Sequence, residues 1–136
     1  KFFLNTVGSQ LSVNKMDDAM KFLEDTFATQ ITEYTVCAKR LDDGEFYHCW
    51  YIGSNKEISE KETANTLDEF LKEANKNYKV ARSKALKGVK VKVIPANYFH
   101  EWSASNKKKG GQVKMERVMN EEKFSDFEAL VKKLAN

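Results

Sequence analysis

Apolar residues recur at two different periods along this chain, and the change of period predicts where helices and strands lie. Helical spacing, with apolar residues three or four positions apart, occurs over residues 16–27, 64–78 and 124–134. Each stretch follows a residue type that favours a helix N-cap, namely Ser12, Ser59 and Asn120. Ser59 also has Glu62 three residues later, which is the capping-box pattern. The pattern therefore predicts three long amphipathic helices, each with one buried face.

Strict alternation marks two neighbouring stretches, residues 32–39 and 45–52, with the turn signal Asp42-Asp43-Gly44 between them. A hairpin centred on Asp43 brings Val36 opposite Trp50 and Cys37 opposite Cys49. One face then carries Tyr34, Val36, Ala38, Phe46, His48, Trp50 and Ile52. We therefore expect Trp50 to be buried and Tyr47, on the opposite face, to be more exposed.

Three shorter elements complete the prediction. Residues 2–7 form a short strand that ends at Gly8, and residues 89–94 form a strand that ends at Pro95. Residues 98–105 form a short helix with Phe99 and Trp102 facing inward. The sequence thus predicts an α+β fold, a small and mainly antiparallel sheet with helices packed on it.

Length and composition narrow the class of protein. The chain has 136 residues, enough for one domain with a core of its own, and it shows no apolar run long enough to span a membrane and no signal-peptide pattern. We expect a cytoplasmic location. A net charge of +3 is mild and does not favour nucleic acid as the main partner. Because the chain begins with Lys1 rather than Met, we expect residues 1–136 to be a single C-terminal domain of a longer chain.

Cysteine and histidine positions do not indicate a metal site. The two cysteines, Cys37 and Cys49, and the two histidines, His48 and His100, fit no zinc-ligand spacing. We expect the cysteines to be free thiols packed in a reducing compartment. His48 lies on the apolar face of the hairpin, so we interpret it as a core histidine rather than a catalytic base.

The residues best suited to bind a ligand are concentrated in residues 107–118, which contain a run of three lysines, a glycine pair and then the order Gln-x-Lys-x-x-Arg. Gly110 and Gly111 free the backbone for close approach to a ligand. Gln112, Lys114 and Arg117 then offer an amide, a compact charge and a planar fork of donors. This set suits an anion with several oxygens, such as phosphate. A solvated basic turn is the alternative interpretation of the same composition.

The order of these residues resembles the end of the auxin-responsive-promoter family of acyl acid–amido synthetases, and a bacterial-type member in particular. Met115 and Glu116 stand where that family has Val and Pro. Upstream, Tyr78-x-x-x-Arg82 and Phe99-x-x-Trp102 are similar to two further patterns of the family. Residues 7–12 look like the turn where its C-terminal domain begins. The resemblance covers most of the chain.

The resemblance implies a function and a set of site residues. Enzymes of this family use ATP with Mg²⁺ to adenylate a carboxylic acid and then transfer the acyl group to an amino acid. By resemblance, the catalytic residue is Lys114, the phosphate-binding residues are Gln112, Arg117, Gly110 and Gly111, and the hinge residues are Gly8, Ser9 and Gln10. Arg117 has a second possible role, which is to hold its own loop or to pair with a carboxylate of another domain.

The family also implies the partners. The fold would be that of the mobile C-terminal domain of an adenylate-forming enzyme, and the nucleotide and acyl pockets would lie in an N-terminal domain absent from this sequence. We expect a monomer that contacts no nucleic acid and no membrane, and we expect the isolated chain to be inactive.

Two other functions remain open from the sequence. One is the C-terminal domain of an acyl-CoA ligase, which uses coenzyme A instead of an amino acid as acceptor. The other is a stand-alone module whose basic surface binds anions or nucleic acid, through Lys90, Lys92, Lys107, Lys108, Lys109 and Lys114. Thioester formation favours the first alternative, and salt-dependent binding of RNA or DNA favours the second.

Overall fold

A computed structural model describes the backbone of residues 3–6, 9–106 and 115–136, and the statements below concern these residues. The elements follow in the order β1 (Phe3–Thr6), β2 (Ser9–Ser12), α1 (Val13–Phe27), β3 (Ile31–Arg40), β4 (Phe46–Ser54), α2 (Glu60–Ala74), α3 (Lys76–Lys84), β5 (Leu86–Pro95), α4 (Asn97–Asn106) and α5 (Glu121–Ala135). The α+β class predicted from the sequence is confirmed. No helix in the described ranges is both long and apolar enough to cross a bilayer.

The central sheet has the strand order β3-β4-β5, and β1 and β2 form a separate two-stranded ribbon. The pairs β1–β2 and β3–β4 are antiparallel, whereas β4 and β5 run parallel. The parallel pairing is made possible by α2 and α3, which provide the long crossover that parallel strands require. The hairpin register predicted from the sequence is confirmed, because Val36 pairs with Trp50 and Cys37 with Cys49.

The predicted N-caps are confirmed by their hydrogen bonds. The Ser12 hydroxyl accepts from the amide of Lys15 at 3.2 Å, and the Ser59 hydroxyl accepts from the amide of Glu62 at 3.1 Å. The Asn120 side chain accepts from the amide of Lys123 at 2.8 Å. Each bond satisfies a backbone donor that the first helical turn leaves without an intrahelical partner.

The structure divides one predicted helix into two. The helical pattern over residues 64–78 belongs to two helices, because α2 ends at Ala74 and Asn75 adopts an extended backbone with φ −147° and ψ 113°. Its side chain accepts from the amide of Tyr78 at 2.8 Å and so caps α3. Asparagine favours such local bonds over helix continuation. Tyr78 is nevertheless fully buried, because α3 packs on the same side of the sheet.

Helices cover both faces of the sheet and create two core clusters. The face that carries Trp50 packs with α1, α2 and α3, and Trp50 is 1% exposed while Tyr47 is only half-buried, as predicted. The opposite face packs with α4 and α5 through Tyr51, Phe99, Phe124 and Phe127. The second cluster fixes α4 and α5, which lie on either side of residues 107–120.

The histidine and the two cysteines of the β3–β4 hairpin have structural and not catalytic roles. His48 is fully buried beside Tyr78, with 5.9 Å between the ring centres, and burial lowers the pKa of its imidazole to about 4. The prediction that His48 is a core histidine is confirmed. Cys37 and Cys49 are free, and burial raises the pKa of these thiols to about 12 and about 11. Neither thiol is activated as a nucleophile, because the thiolate is the reactive form.

Candidate functional site

The sequence places the candidate site in the basic loop, and the structure describes what lies on both sides of it. Gly8, Gly110, Gly111, Gln112 and Lys114 lie outside the described residues. The backbone of Ser9 and Gln10 lies in β2, and Arg117 is described in full. The geometry of the site is therefore that of α4 before the loop and of residues 115–120 after it.

α4 is fixed to the sheet by the ring of Phe99, which is 4% exposed. This ring lies against Gly53 of β4, where an added Cβ would come within 2.8 Å of the Phe99 Cε2 atom. It also packs against Phe127 of α5, with 5.3 Å between ring centres. Gly53 is thus a position where the absence of a side chain lets a helix approach the strand closely. The helix that precedes the loop is therefore firmly packed against the sheet and against α5.

The chain after the loop joins the free edge of β3. The carbonyl of Arg117 accepts from the amide of Val36 at 2.9 Å, and the amide of Met119 donates to the carbonyl of Val36 at 3.0 Å. This forms a parallel bridge between Val36 and Val118. The Thr35 hydroxyl donates to the carbonyl of Glu116 at 2.8 Å. Residues 116–119 are therefore held to the sheet as a short additional strand.

The side chain of Arg117 is held by two carboxylates. Its Nε donates to Glu33 Oε1 at 2.7 Å, and one terminal nitrogen donates to Asp17 Oδ1 at 3.1 Å. The guanidinium also lies over the Tyr34 ring, 4.9 Å from its centre. Partial burial alone would lower the pKa of Arg117, but the Glu33 carboxylate raises it, so the side chain stays charged. These contacts favour the loop-holding role over the phosphate-binding role predicted for Arg117.

Tyr34 contacts both Asp17 and Arg117 and is the fourth residue of this cluster. Its hydroxyl donates to Asp17 Oδ1 at 2.6 Å, and its ring is 3% exposed. Burial raises the pKa of the phenol, and the hydrogen bond to Asp17 raises it further. Tyr34 therefore keeps its proton and remains a donor at physiological pH. We call Asp17, Glu33, Tyr34 and Arg117 the Arg117 clasp.

Two recesses flank the clasp. The first, of about 310 Å³, lies between α1 and β3 and is lined by Asp17, Lys21, Glu24, Glu33, Tyr34 and Arg117 among others. The second, of about 230 Å³, lies between β3 and α4 and includes Thr32, Glu33, Phe99, His100, Ser103 and Met115. Both recesses share Thr32 and Glu33. The surface on either side of Glu33 is therefore concave and is lined by both polar and apolar side chains.

Residue 116 departs from the family pattern, and its contacts are described. The Glu116 carboxylate accepts from the Lys123 ammonium of α5 at 2.7 Å, and both side chains are about half exposed. The family has Pro here, which restrains the backbone by itself. In this chain the backbone is restrained instead by the bonds of Thr35 and Val36, with the exposed ion pair adding little.

A second arginine cluster lies near the opposite edge of the sheet, beside β5, and it contains the two residues of the Tyr78-x-x-x-Arg82 pattern. Arg82 binds both oxygens of Asp68, at 2.9 and 3.0 Å, and the Tyr78 hydroxyl donates to Asp68 Oδ1 at 2.6 Å. Arg82 also donates to the carbonyls of Leu86 and Lys87. The cluster ties α2 to α3 and to the start of β5, and it serves the fold rather than the site.

A metal ion in a protein needs several ligating side chains placed close together. Within residues 3–6, 9–106 and 115–136, no three His, Cys, Asp or Glu side chains come close enough to hold a metal ion. Three acidic residues around the segment after the loop are already paired with cations, Asp17 and Glu33 with Arg117 and Glu116 with Lys123.

Sequence reasoning missed Asp17, Glu33 and Tyr34 as functional-site residues. Asp17 lies 100 residues before Arg117 and Glu33 lies 84 residues before it, so no local spacing connects them. The one usable signal was the predicted hairpin, whose alternation places Glu33 on the face opposite Tyr34.

Comparison with known proteins assigns this fold and loop to a family. The family model described as the GH3 family C-terminal domain matches residues 13–123. A solved structure titled GH3.15 acyl acid amido synthetase superposes with a TM-score of 0.75 at 14% identity, covering 97% of this chain and 25% of that chain. Another, titled AtGH3.15 acyl acid amido synthetase in complex with 2,4-DB, gives 0.76 at 19% identity, covering 96% and 26%. The comparison with curated proteins found no match.

The class defined by these observations is an α+β domain with helices on both faces of a small mixed sheet. The chain belongs to the GH3 family, and it corresponds to the C-terminal domain of that family. The family resemblance drawn from the sequence motifs is thereby confirmed. The chain spans about a quarter of the length of the two solved structures.

Proposed function

We propose that this chain works as the C-terminal domain of an ATP-dependent acyl acid–amido synthetase and that it supplies Lys114 to the active site. The observation that carries the proposal is the family match, which spans residues 13–123 and therefore includes the whole Gln112-x-Lys114-x-x-Arg117 motif. The fixed position of residues 116–119 on β3 supports it, because only Met115 separates Lys114 from this anchored segment in the chain.

The proposed reaction has two steps. In the first, a carboxylate oxygen of the acid attacks the α-phosphorus of ATP, the bond to the β-phosphate oxygen breaks, and pyrophosphate leaves. In the second, the amine of an amino acid attacks the acyl carbon, AMP leaves, and the amine gives up a proton. Negative charge on the α-phosphate oxygens increases as the first step proceeds. A fixed cation stabilises the transition state more than the ground state and so accelerates this step.

Lysine fits this role for physical reasons. Its ammonium is a compact charge on a long flexible stem, so it can reach into a pocket formed by another domain. Movement of a domain after substrate binding both completes the site and excludes water. Gln112, Gly110 and Gly111 would contact phosphate oxygens through an amide and exposed backbone donors. ATP and its Mg²⁺ would be bound mainly by the N-terminal domain, and the chain alone would be inactive.

The test is substitution of Lys114 in the full-length synthetase. We expect Lys114→Ala to lower kcat for adenylation by on the order of 10² to 10³, the effect of losing one preorganised charge-stabilising group. The melting temperature should change little if Lys114 acts on the substrate and not on the fold, and thermal unfolding checks this. Pyrophosphate exchange measures adenylation alone.

Lys108→Ala is the matched control, since it removes a lysine of the same basic run without touching the motif. It should lower the exchange rate less than about threefold, as expected for a surface charge. Equal rates for the two variants would contradict the assignment and leave the loop as a general basic surface. If coenzyme A rather than an amino acid accepts the acyl group, the product is a thioester, and the acyl-CoA ligase alternative is then correct.

A further inference from the structure

The Arg117 clasp restrains the segment after the loop in a way that the backbone bonds do not. Two backbone bonds to Val36 fix residues 117–119 at one point along the edge of β3. A segment held at one point on a sheet edge can still twist about that edge. The clasp adds two further points of attachment, Glu33 at another position on β3 and Asp17 on α1. Backbone and side chain together fix the direction in which the chain leaves the sheet.

The chemistry of the clasp suits positioning. Arginine has donors in a rigid planar fork, so its two bonds to Glu33 and Asp17 fix its orientation, whereas a lysine ammonium would bind as a point charge. Asp17 is itself held by the Tyr34 hydroxyl, and the buried Tyr34 ring supports the guanidinium from one face. Arg117 and Asp17 are only partly exposed, with 36% and 41% of their side chains accessible. The two carboxylates more than offset the single positive charge of Arg117 before any phosphate arrives.

We propose that Asp17, Glu33 and Arg117 are positioning residues, which orient the loop so that Lys114 reaches the α-phosphate of the reacting nucleotide. This inference rests on the proposed function. It assigns Arg117 to the orientation of the loop and not to the substrate. A displacement of about 1 Å at a catalytic group can cost about 10² in rate. Loss of the clasp should therefore reduce catalysis strongly even though no substrate contact is lost.

The first experiment compares two arginines in the full-length synthetase. Arg117→Lys keeps the charge and removes the fork, and we expect it to lower kcat for pyrophosphate exchange by about 10- to 100-fold with little change in KM for ATP. Arg82→Lys is the matched control, because Arg82 forms the same kind of paired contact with Asp68 away from the loop. It should lower the melting temperature and leave kcat of the folded enzyme unchanged. A raised KM for ATP with unchanged kcat in Arg117→Lys would instead indicate a phosphate ligand and overturn the inference.

A double-mutant cycle then tests whether the clasp acts through Lys114. If Arg117 only positions Lys114, Arg117→Lys should cause no further loss in the Lys114→Ala enzyme. Losses that multiply would show that Arg117 acts independently, and the inference would be wrong. Glu33→Gln provides a second variant in case Arg117→Lys does not fold, and it should reproduce the kcat effect.

The two proposals fail in different ways. If Lys114→Ala has no effect, the proposed function is wrong whatever Arg117 does. If Lys114→Ala has its expected effect and neither Arg117→Lys nor Glu33→Gln lowers kcat, only the positioning role is wrong.

Discussion

The imidazole of His48 is fully buried between β4 and α3, an environment that disfavours its charged form. Burial lowers its pKa to about 4, although the nearby Asp68 carboxylate acts in the opposite direction. The unfolded chain has a histidine pKa of about 6.5. Between these two pH values the unfolded chain binds a proton that the folded chain does not.

This difference predicts how stability depends on pH. The contribution of His48 is fully present above about pH 6.5 and is lost as the pH falls towards about 4, because the unfolded state then gains protons. The loss should amount to about 3 kcal/mol across this window, since one pKa unit corresponds to about 1.4 kcal/mol. Urea unfolding of the 136-residue chain at several pH values measures it.

The control for this prediction is the second histidine. His48→Gln should remove most of the slope between about pH 4 and 6.5. His100→Gln, at an exposed position on α4, should retain it. A slope that survives in His48→Gln would mean that another group is responsible.

Residues of the core were predictable from the sequence to the extent that they depend on local spacing. Alternation alone placed Trp50 inside and Tyr47 outside, because successive side chains in a strand point to opposite faces. The partners of Arg117 were not predictable. Contacts across 84 and 100 residues depend on how α1 and β3 pack, and a single sequence contains no local signal for that packing.

At the scale of elements, the contact between Gly53 of β4 and Phe99 of α4 fixes the helix that leads into the loop. A Cβ at residue 53 would lie 2.8 Å from Phe99 Cε2 and 3.3 Å from the carbonyl oxygen of Glu33. The Phe99 ring has little room to move, because Phe127 packs against it. We expect Gly53→Ala to lower the free energy of unfolding by about 1–3 kcal/mol through overpacking. Chemical denaturation measures this change.

Gly88→Ala is the matched strand control. A Cβ at residue 88 meets only the Tyr47 ring at 3.5 Å, which is ordinary contact. It should change stability by less than about 1 kcal/mol and in the stabilising direction, because alanine restricts the unfolded chain. If both variants were equally stable, the Phe99 ring would have to shift freely, and α4 would not be fixed by this contact.

Element boundaries followed from the sequence where a cap or turn determined them. Ser12, Ser59 and Asn120 marked three helix starts, and Asp43 marked the centre of the hairpin. The break at Asn75 was missed because the apolar spacing continues through it to Tyr78. The parallel pairing of β4 with β5 depends on the path of α2 and α3, which periodicity does not reveal.

At the scale of the whole molecule, the β1–β2 ribbon is the part that bears on the proposed hinge. β1 pairs with β2 from Phe3 opposite Ser12 to Thr6 opposite Ser9, and Leu11 of β2 is fully buried in the core. Ser9 and Gln10 therefore lie in a paired strand that continues into the core. Rotation at these two residues would break backbone hydrogen bonds, each with a net value of about 1 kcal/mol.

In the sequence Gly8 stands between the two strands and outside the β1–β2 pairing, so of the three predicted hinge residues it is the one where this pairing does not oppose rotation. Proline fixes φ near −65° and lacks the backbone donor, so Gly8→Pro should limit rotation there. If adenylation and acyl transfer need different domain orientations, one half-reaction in the full-length synthetase should slow at least about 10-fold more than the other. Pyrophosphate exchange measures the first half-reaction. Single-turnover amide formation from a preformed acyl adenylate measures the second.

The control is a glycine in the other hairpin. Gly44 has φ 81°, a conformation that alanine rarely adopts, so Gly44→Ala should strain the β3–β4 turn and lower the melting temperature. It should reduce both half-reactions equally, because that turn joins two strands of one sheet and not two domains. Equal loss of both half-reactions in Gly8→Pro, with an unchanged melting temperature, would contradict the hinge. The β1–β2 ribbon would then move with the domain as one body.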